Sequence, residues 1–303
     1  MEGYNLRKRN RESLAYQVQE RLNSKLAIGE RKMKSDAKIH SWGTYKTYLK
    51  HCNYFVDYCK IEHDSKTLSE CKQYMSEWLK SRQTLSAYTQ KVEVSALVKL
   101  YGCSSVSLGI ETPKRLMRNI TRSRGKKVRD AHFSEKNHAE IVNFCRSTGL
   151  RRAELSALRG SSLIQRDEKY YINVTAATKG GRKRCVPVIG NVSNVVYLMT
   201  KAGTGRVFGK IPNGMDVHGY RSEYATAIYN AYARDKTTCL NTPFWNKEHQ
   251  NGKGQPKGGY DKNSVYACRG EQKGRWLDKA AMLKASQALG HSRISVVGEH
   301  YIR

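Results

Sequence analysis

Long apolar runs are missing from this chain of 303 residues. No stretch approaches the ~18 consecutive apolar residues of a membrane span, which excludes an integral membrane helix. The opening Met1-Glu2-Gly3-Tyr4-Asn5-Leu6-Arg7-Lys8-Arg9 lacks the apolar core of a signal peptide. Cys-x-x-Cys spacing is missing too: the eight cysteines are scattered at 52, 59, 71, 103, 145, 185, 239 and 268, mostly inside apolar patterns. They read as buried, reduced thiols of a cytoplasmic protein. Cys239, His249 and Cys268 could meet at a zinc ion, but their spacing does not demand it, and no metal or cofactor is expected. No internal repeat recurs at a fixed period. Acidic residues are scarce, 26 against 55 Lys and Arg, for a net charge of +29. Such an excess repels itself and exceeds what solubility requires, so nucleic acid is the leading partner.

What is present divides in chain order, and the length suits two domains. Residues 1–35 are polar and basic with a helix signal around Glu12–Leu26, either a solvated tail or a basic arm on phosphates. From Ser41, the residues Trp42, Tyr45, Tyr48, Leu49, Cys52, Phe55, Val56 and Cys59 recur at helical spacing. A second helix carries Leu68, Cys71, Met75, Trp78 and Leu79. A third, capped by Thr84 or Ser86, carries Val94, Leu97, Val98 and Tyr101 and stops at Gly102. Residues 36–110 therefore read as a small helical bundle. Periodicity lapses over 111–130, where Lys114, Arg115, Arg118, Arg122, Arg124, Lys126, Lys127 and Arg129 follow Pro113. That stretch reads as a basic linker able to lie along DNA.

Beyond 131 the patterns mix. Ser134 can cap a helix running to Ser147, Thr148-Gly149 breaks it, and Leu150–Leu158 resumes helical spacing. Lys169–Thr175 and Arg184–Val188 have strand composition, so a β-hairpin is expected with Lys179 and Arg182 at its bend. Helices follow at Val195–Lys201 and from His218 through Tyr232. Residues 235–275 read as a long loop or insertion. The last helices are expected at Leu277–Leu289 and Ile294–Tyr301. Within this region Arg151 and Glu154 lie three apart on one helix face, as do His218 and Arg221. His291 follows Leu289-Gly290, and Tyr301 comes ten residues later.

Each of these patterns alone is weak, but their order resembles the tyrosine recombinase (phage-integrase) family of site-specific DNA recombinases. Thr148-Gly149-Leu150-Arg151-Arg152-Ala153-Glu154-Leu155 is similar to its first box. His218-Gly219-Tyr220-Arg221 with Tyr224-Ala225-Thr226 is similar to the second, and Leu289-Gly290-His291-Ser292 followed by Tyr301 to the third. The resemblance implies an α+β fold, mainly α with a small β-sheet or hairpin. A helical core-binding domain at 36–110 and a catalytic domain at 131–303 would form a C-shaped DNA clamp. It also implies cleavage and rejoining of DNA through a covalent 3′-phosphotyrosine, by a homotetramer on two duplexes carrying a specific site. A mobile element is the expected setting, accessory DNA-bending proteins are possible helpers, and the expected location is cytoplasmic and nucleoid-associated.

The chemistry suits these residue types. Charge growing on the non-bridging phosphate oxygens calls for fixed cations, and the guanidinium forks of Arg151 and Arg221 supply them. His218 and His291 can donate to the same oxygens, and Tyr301 is the nucleophile. The resemblance assigns Lys179 to protonate the departing 5′-oxygen, His218 to handle the tyrosine proton and Glu154 to orient the arginine and histidine side chains. Arg182, Lys183 and Arg184 are alternatives to Lys179, and Arg152 and His300 are neighbours that mimic Arg151 and His291. The chain departs from the family pattern at Ser222, where a histidine is frequent. Only Ile302 and Arg303 follow the tyrosine here, so either subunit contacts are expected from elsewhere or the sequence stops short of the full protein. A type IB topoisomerase-like relaxing enzyme and a catalytically silent DNA-binding protein are the alternative functions.

Overall fold

The computed structural model describes residues 13–30, 33, 37–116, 119, 133–246 and 259–302. The chain divides into two compact units, Met1–Arg115 and Leu116–Arg303.

In the first unit, α1 (Leu14–Asn23) starts where the Ser13 hydroxyl accepts the Tyr16 N–H at 3.2 Å. Leu14, Val18 and Leu22 recur every fourth residue and are buried in the unit's core. Ala27 N–H donates to the Ile39 carbonyl at 2.9 Å, tying the following segment to the same body. The described part of the expected N-terminal arm thus belongs to the bundle. Its apolar stripe is short and diluted by Gln17, Glu20 and Arg21, which is why composition reads it as a tail. Helix α2 (Trp42–His63) is capped by Ser41. The expected second helix is two pieces, α3 (Leu68–Cys71) and α4 (Met75–Ser81), joined by a tighter turn over Lys72–Tyr74. Helix α5 (Ala87–Tyr101) takes Ser86 as its cap and ends at Gly102 in the left-handed region. Phe55 is the hub, its ring 5.4 Å from Trp78 and 6.2 Å from Tyr101. One charge lies inside: Glu93, on α5 and fully buried, receives Arg82 Nη2 at 2.9 Å.

The second unit is mainly helical around small antiparallel sheets. Helices α6 (Ala139–Thr148) and α7 (Arg152–Ala157) precede a three-stranded antiparallel sheet in the order β1-β2-β3, formed by Leu163–Arg166, Lys169–Val174 and Arg184–Pro187. The expected hairpin is β2–β3, with Ile172 opposite Val186. Strand β1 was not expected, because it turns into β2 through Asp167 and Glu168, both at positive φ, with no glycine to mark the hairpin. Helices α8 (Val192–Ala202) and α9 (Val217–Tyr232) follow. Helix α9 is the axis of the core: its Tyr224 is fully buried and donates its hydroxyl to the Pro187 carbonyl at 2.7 Å.

The expected loop at 235–275 is substantially ordered where described. It holds α10 (Lys236–Leu240), a β4–β5 pair (Phe244–Asn246 with Gly259–Asp261) and β6 (Val265–Ala267), which pairs with β7 (Trp276–Asp278). These strands are three residues long, too short for alternation to stand out among Gly, Lys and Asn. Helices α11 (Lys279–Leu289) and α12 (Ile294–His300) complete the unit. Leu277 lies in β7, so α11 starts two residues later than its apolar pattern suggests, at the Asp278 cap. Among the described residues no helix is long and apolar enough to cross a membrane.

Candidate active site

Helix α6 stops because Gly149 adopts φ +56, and a Cβ there would stand 2.3 Å from Cδ1 of Tyr224. The chain passes through fully buried Leu150 to Arg151, the extended residue before α7. In the first turn of α7, Glu154 accepts the Arg151 backbone N–H at 2.8 Å and Arg151 Nη1 at 2.8 Å. Arg184 reaches the same carboxylate from β3 with a two-pronged fork, Nη1 to Oε1 at 2.8 Å and Nη2 to Oε2 at 2.7 Å. Burial alone would raise the Glu154 pKa. The bonds from Arg184 and from the Arg151 backbone outweigh it and hold the carboxyl down at about 2.

Arg221 projects from α9 one turn beyond His218 and is 1% exposed. Its fork donates to the carbonyls of Gly149 and Leu289. Arg151 Nη2 donates to that same Leu289 carbonyl at 3.1 Å, so one backbone oxygen registers both guanidiniums. Burial lowers the Arg221 pKa to about 10, with repulsion from Arg151 and Arg184 adding to it and the Tyr301 phenol opposing it. The group stays cationic at neutral pH. Its Nε is buried and has no hydrogen-bond partner among the described residues.

Helix α11 ends at Gly290 in the left-handed region, and His291 turns back with its N–H on the Ser286 carbonyl at 2.9 Å. Burial, then the charges of Arg221, Arg151, Lys179 and Arg184, depress the His291 pKa to about 3. The ring is therefore neutral at physiological pH, and its Nε2 is buried with no partner among the described residues. Lys179 starts the short Lys179–Gly181 turn between β2 and β3 and is exposed, yet its charge reaches His291.

Tyr301 follows α12 directly and is 8% exposed. Its ring centre lies 5.1 Å from that of His291, 6.4 Å from that of His218 and 5.6 Å from Arg221 Cζ. The segment is held from α9: the Ser222 hydroxyl donates to the Tyr301 carbonyl at 2.6 Å, and Thr226 Oγ1 to the same oxygen at 3.2 Å. Buried Ile302 plugs the core behind it, and Arg275 Nη1 donates to the Ile302 carbonyl at 3.1 Å.

Arg151, Glu154, His218, Arg221, His291 and Tyr301 thus gather in one cluster, with Lys179 at its exposed edge. The neighbours that mimic them are committed elsewhere. Arg152 donates to the Pro212 and Met215 carbonyls at 2.8 and 2.7 Å, and His300 lies 3.9 Å from a Glu299 carboxylate oxygen. Arg182 and Lys183 are exposed. Of the other expected DNA contacts, Lys114 and Arg115 are exposed in the first unit, with Arg115 5.4 Å from the Tyr88 ring. Arg118, Arg122, Arg124, Lys126 and Lys127 lie outside the described residues, as does His249. Among the described residues no group of three or more His, Cys, Asp or Glu side chains is arranged to hold a metal ion. The cysteines are free; six are buried, Cys103 is half-buried, and Cys185 departs from expectation by facing solvent on β3.

Two features escaped the sequence. Arg184, considered there only as an alternative to Lys179, is locked on Glu154; strand alternation that sets it on the same side as buried Val186 was the available signal. Ser222, read as a departure from the family pattern, holds the Tyr301 backbone.

No protein-family model matches this chain, and no curated protein matches it. Solved structures are similar to it, and two of them are complexes of one recombinase. One is the XerH site-specific recombinase bound to palindromic difH substrate as a post-cleavage complex, at 14% identity and TM-score 0.48, covering 96% of this chain and 90% of that one. The other is XerH bound to difH substrate as a pre-cleavage complex, at 14% identity and TM-score 0.47, covering 96% of this chain and 92% of that one.

Proposed function

We propose that this chain is a site-specific DNA recombinase of the tyrosine recombinase family, cleaving and rejoining strands through a covalent 3′-phosphotyrosine. The carrying observation is a pair of buried nitrogens near the Tyr301 ring, Arg221 Nε and His291 Nε2, that have no hydrogen-bond partner among the described residues. A buried polar group without a partner costs ~1–3 kcal/mol, a cost that a bound oxyanion would remove. Two guanidiniums, Arg151 and Arg184, share the Glu154 carboxylate, and a third, Arg221, is near enough to be repelled by both, so the cluster keeps positive charge for a phosphate. Neutral His291 would enter as a hydrogen-bond donor, and phosphate charge would pull its pKa back up.

In the proposed step Tyr301 Oη attacks phosphorus as the bond from phosphorus to the 5′-oxygen breaks. The phenol proton passes to His218, and Lys179 gives a proton to the departing 5′-oxygen, which leaves as a hydroxyl. Arg151, Arg221 and His291 hold the non-bridging oxygens, and Glu154 orients Arg151. Attack by the freed 5′-hydroxyl of another strand reverses each transfer and reseals the backbone. The proposed working assembly is a homotetramer on two duplexes.

The target sequence is found by the same experiment that tests the reaction. A library of nicked duplexes with randomised cores is incubated with the protein, and covalent adducts surviving denaturant are sequenced. Adducts from wild type and none from Tyr301→Phe are expected; adducts from both would overturn the assignment. Relaxation of supercoiled plasmid without strand exchange between two duplexes would point to a topoisomerase instead.

A further inference from the structure

We propose that Arg184 is a positioning residue of the phosphate clamp, acting through Glu154 on Arg151; this rests on the reaction proposed above. The Glu154 carboxylate has two faces to offer. Its Oε1 takes Arg151 Nη1 and Arg184 Nη1, and its Oε2 takes the Arg151 backbone N–H and Arg184 Nη2. Arg184 therefore fills the bidentate slot, and Arg151 is held by one side-chain prong. That division matters because a carboxylate and a phosphate present similar paired oxygens to a guanidinium. Were the slot open, Arg151 would rotate its fork onto Glu154 and give up donors meant for the substrate.

Arg184 also braces the opposite wall. Its Nε donates to the Ala288 carbonyl at 3.0 Å, one residue before Leu289, whose carbonyl receives both Arg151 and Arg221. A Cβ on Gly290 would lie 2.9 Å from Arg184 Cδ, so the arginine packs flush against the turn that presents His291. The Arg184 side chain is 7% exposed and too enclosed to meet DNA itself. A lysine could keep the charge there but not the fork.

The test uses full-length protein and a duplex selected by the adduct experiment, made in three forms: the natural phosphodiester, a methylphosphonate that removes a charged non-bridging oxygen, and a 5′-bridging phosphorothiolate whose leaving group needs no acid. Single-turnover adduct formation is measured at saturating protein for wild type, Arg184→Met and Arg184→Lys, with thermal melts as a folding control. Both variants should lose on the order of 10²-fold on the phosphodiester, the usual cost of a slightly misplaced group. The loss should persist on the phosphorothiolate and shrink to within about threefold on the methylphosphonate, which no longer needs the full clamp. Equal losses on all three substrates, or wild-type rates throughout, would overturn the proposal. Rescue by the phosphorothiolate alone would also overturn it, since Arg184 would then act through Lys179 and the hairpin. If Arg184→Met does not fold, Arg184→Lys must still show the substrate-dependent loss. Absence of adducts with wild type would instead count against the reaction itself.

Discussion

Arg151, the extended residue before α7, and Arg221, on α9, are two like charges that donate to one acceptor, the Leu289 carbonyl. Burial, and then repulsion from Arg151, lowers the Arg221 pKa, and the protein holds the pair together with Glu154 and backbone oxygens. Two guanidiniums kept side by side support the proposed clamp on an anion that bridges them.

Replacing either arginine should therefore slow cleavage. Arg151→Ala and Arg221→Ala are each expected to lose ~3–4 kcal/mol of transition-state stabilisation in single-turnover adduct assays. Arg221→Ala should also melt earlier, because it orphans the buried Gly149 carbonyl and leaves the Leu289 carbonyl with Arg151 alone. Wild-type rates with either variant would remove the clamp from the account.

Gly149 is predicted to be irreplaceable for packing reasons. Gly149→Ala places a methyl at positive φ and against the Tyr224 ring, and denaturant titration should show a loss of roughly 2–4 kcal/mol. An unchanged midpoint would contradict the packing around the first box.

Acid should weaken the fold through two groups. The His291 pKa is depressed from an ordinary value near 6.5 to about 3, so the unfolded chain binds the proton more readily between those values. Its share of stability is complete above ~6.5 and is lost as pH falls toward about 3. Glu154, held at about 2, adds a further loss below its ordinary range near 4.5. His291→Gln should flatten the upper part of the pH–stability curve; the same slope in wild type and variant between pH 4 and 6 would refute this.

In the proposed mechanism two arginines and a neutral histidine supply the stabilisation the phosphate needs, so cleavage is expected to proceed undiminished in excess chelator. Loss of cleavage restored by a divalent cation would contradict the mechanism. The net charge of +29 predicts steep salt dependence of DNA affinity, and Lys114→Ala and Arg115→Ala should each make the log–log slope shallower by about 1 if they meet phosphates.

The legible parts of the sequence are those where chemistry repeats at a short period. The stripe Tyr45, Cys52, Phe55, Val56, Cys59 became the buried face of α2, and the Gly102 and Gly290 stops are helix ends at positive φ. The Arg151, His218, Arg221, His291 and Tyr301 cluster was legible from the order of its motifs, because each lies on a helix or a helix-ending turn with a fixed spacing. What stayed hidden depends on contacts distant in sequence. Arg184 and Glu154 are thirty residues apart, and Ser222 reaches Tyr301 across seventy-nine. Only strand alternation, which sets Arg184 on the same side as buried Val186, separates it from its exposed neighbours Arg182 and Lys183.

The central claim is that the Tyr301 hydroxyl forms the bond to DNA phosphorus. Its most direct test is peptide mass spectrometry of the nuclease-trimmed adduct from a selected suicide duplex. The account predicts a nucleotide remnant on Tyr301 alone, with the adduct abolished in Tyr301→Phe while duplex binding is kept. A remnant on any other residue, or an adduct that survives Tyr301→Phe, would contradict it.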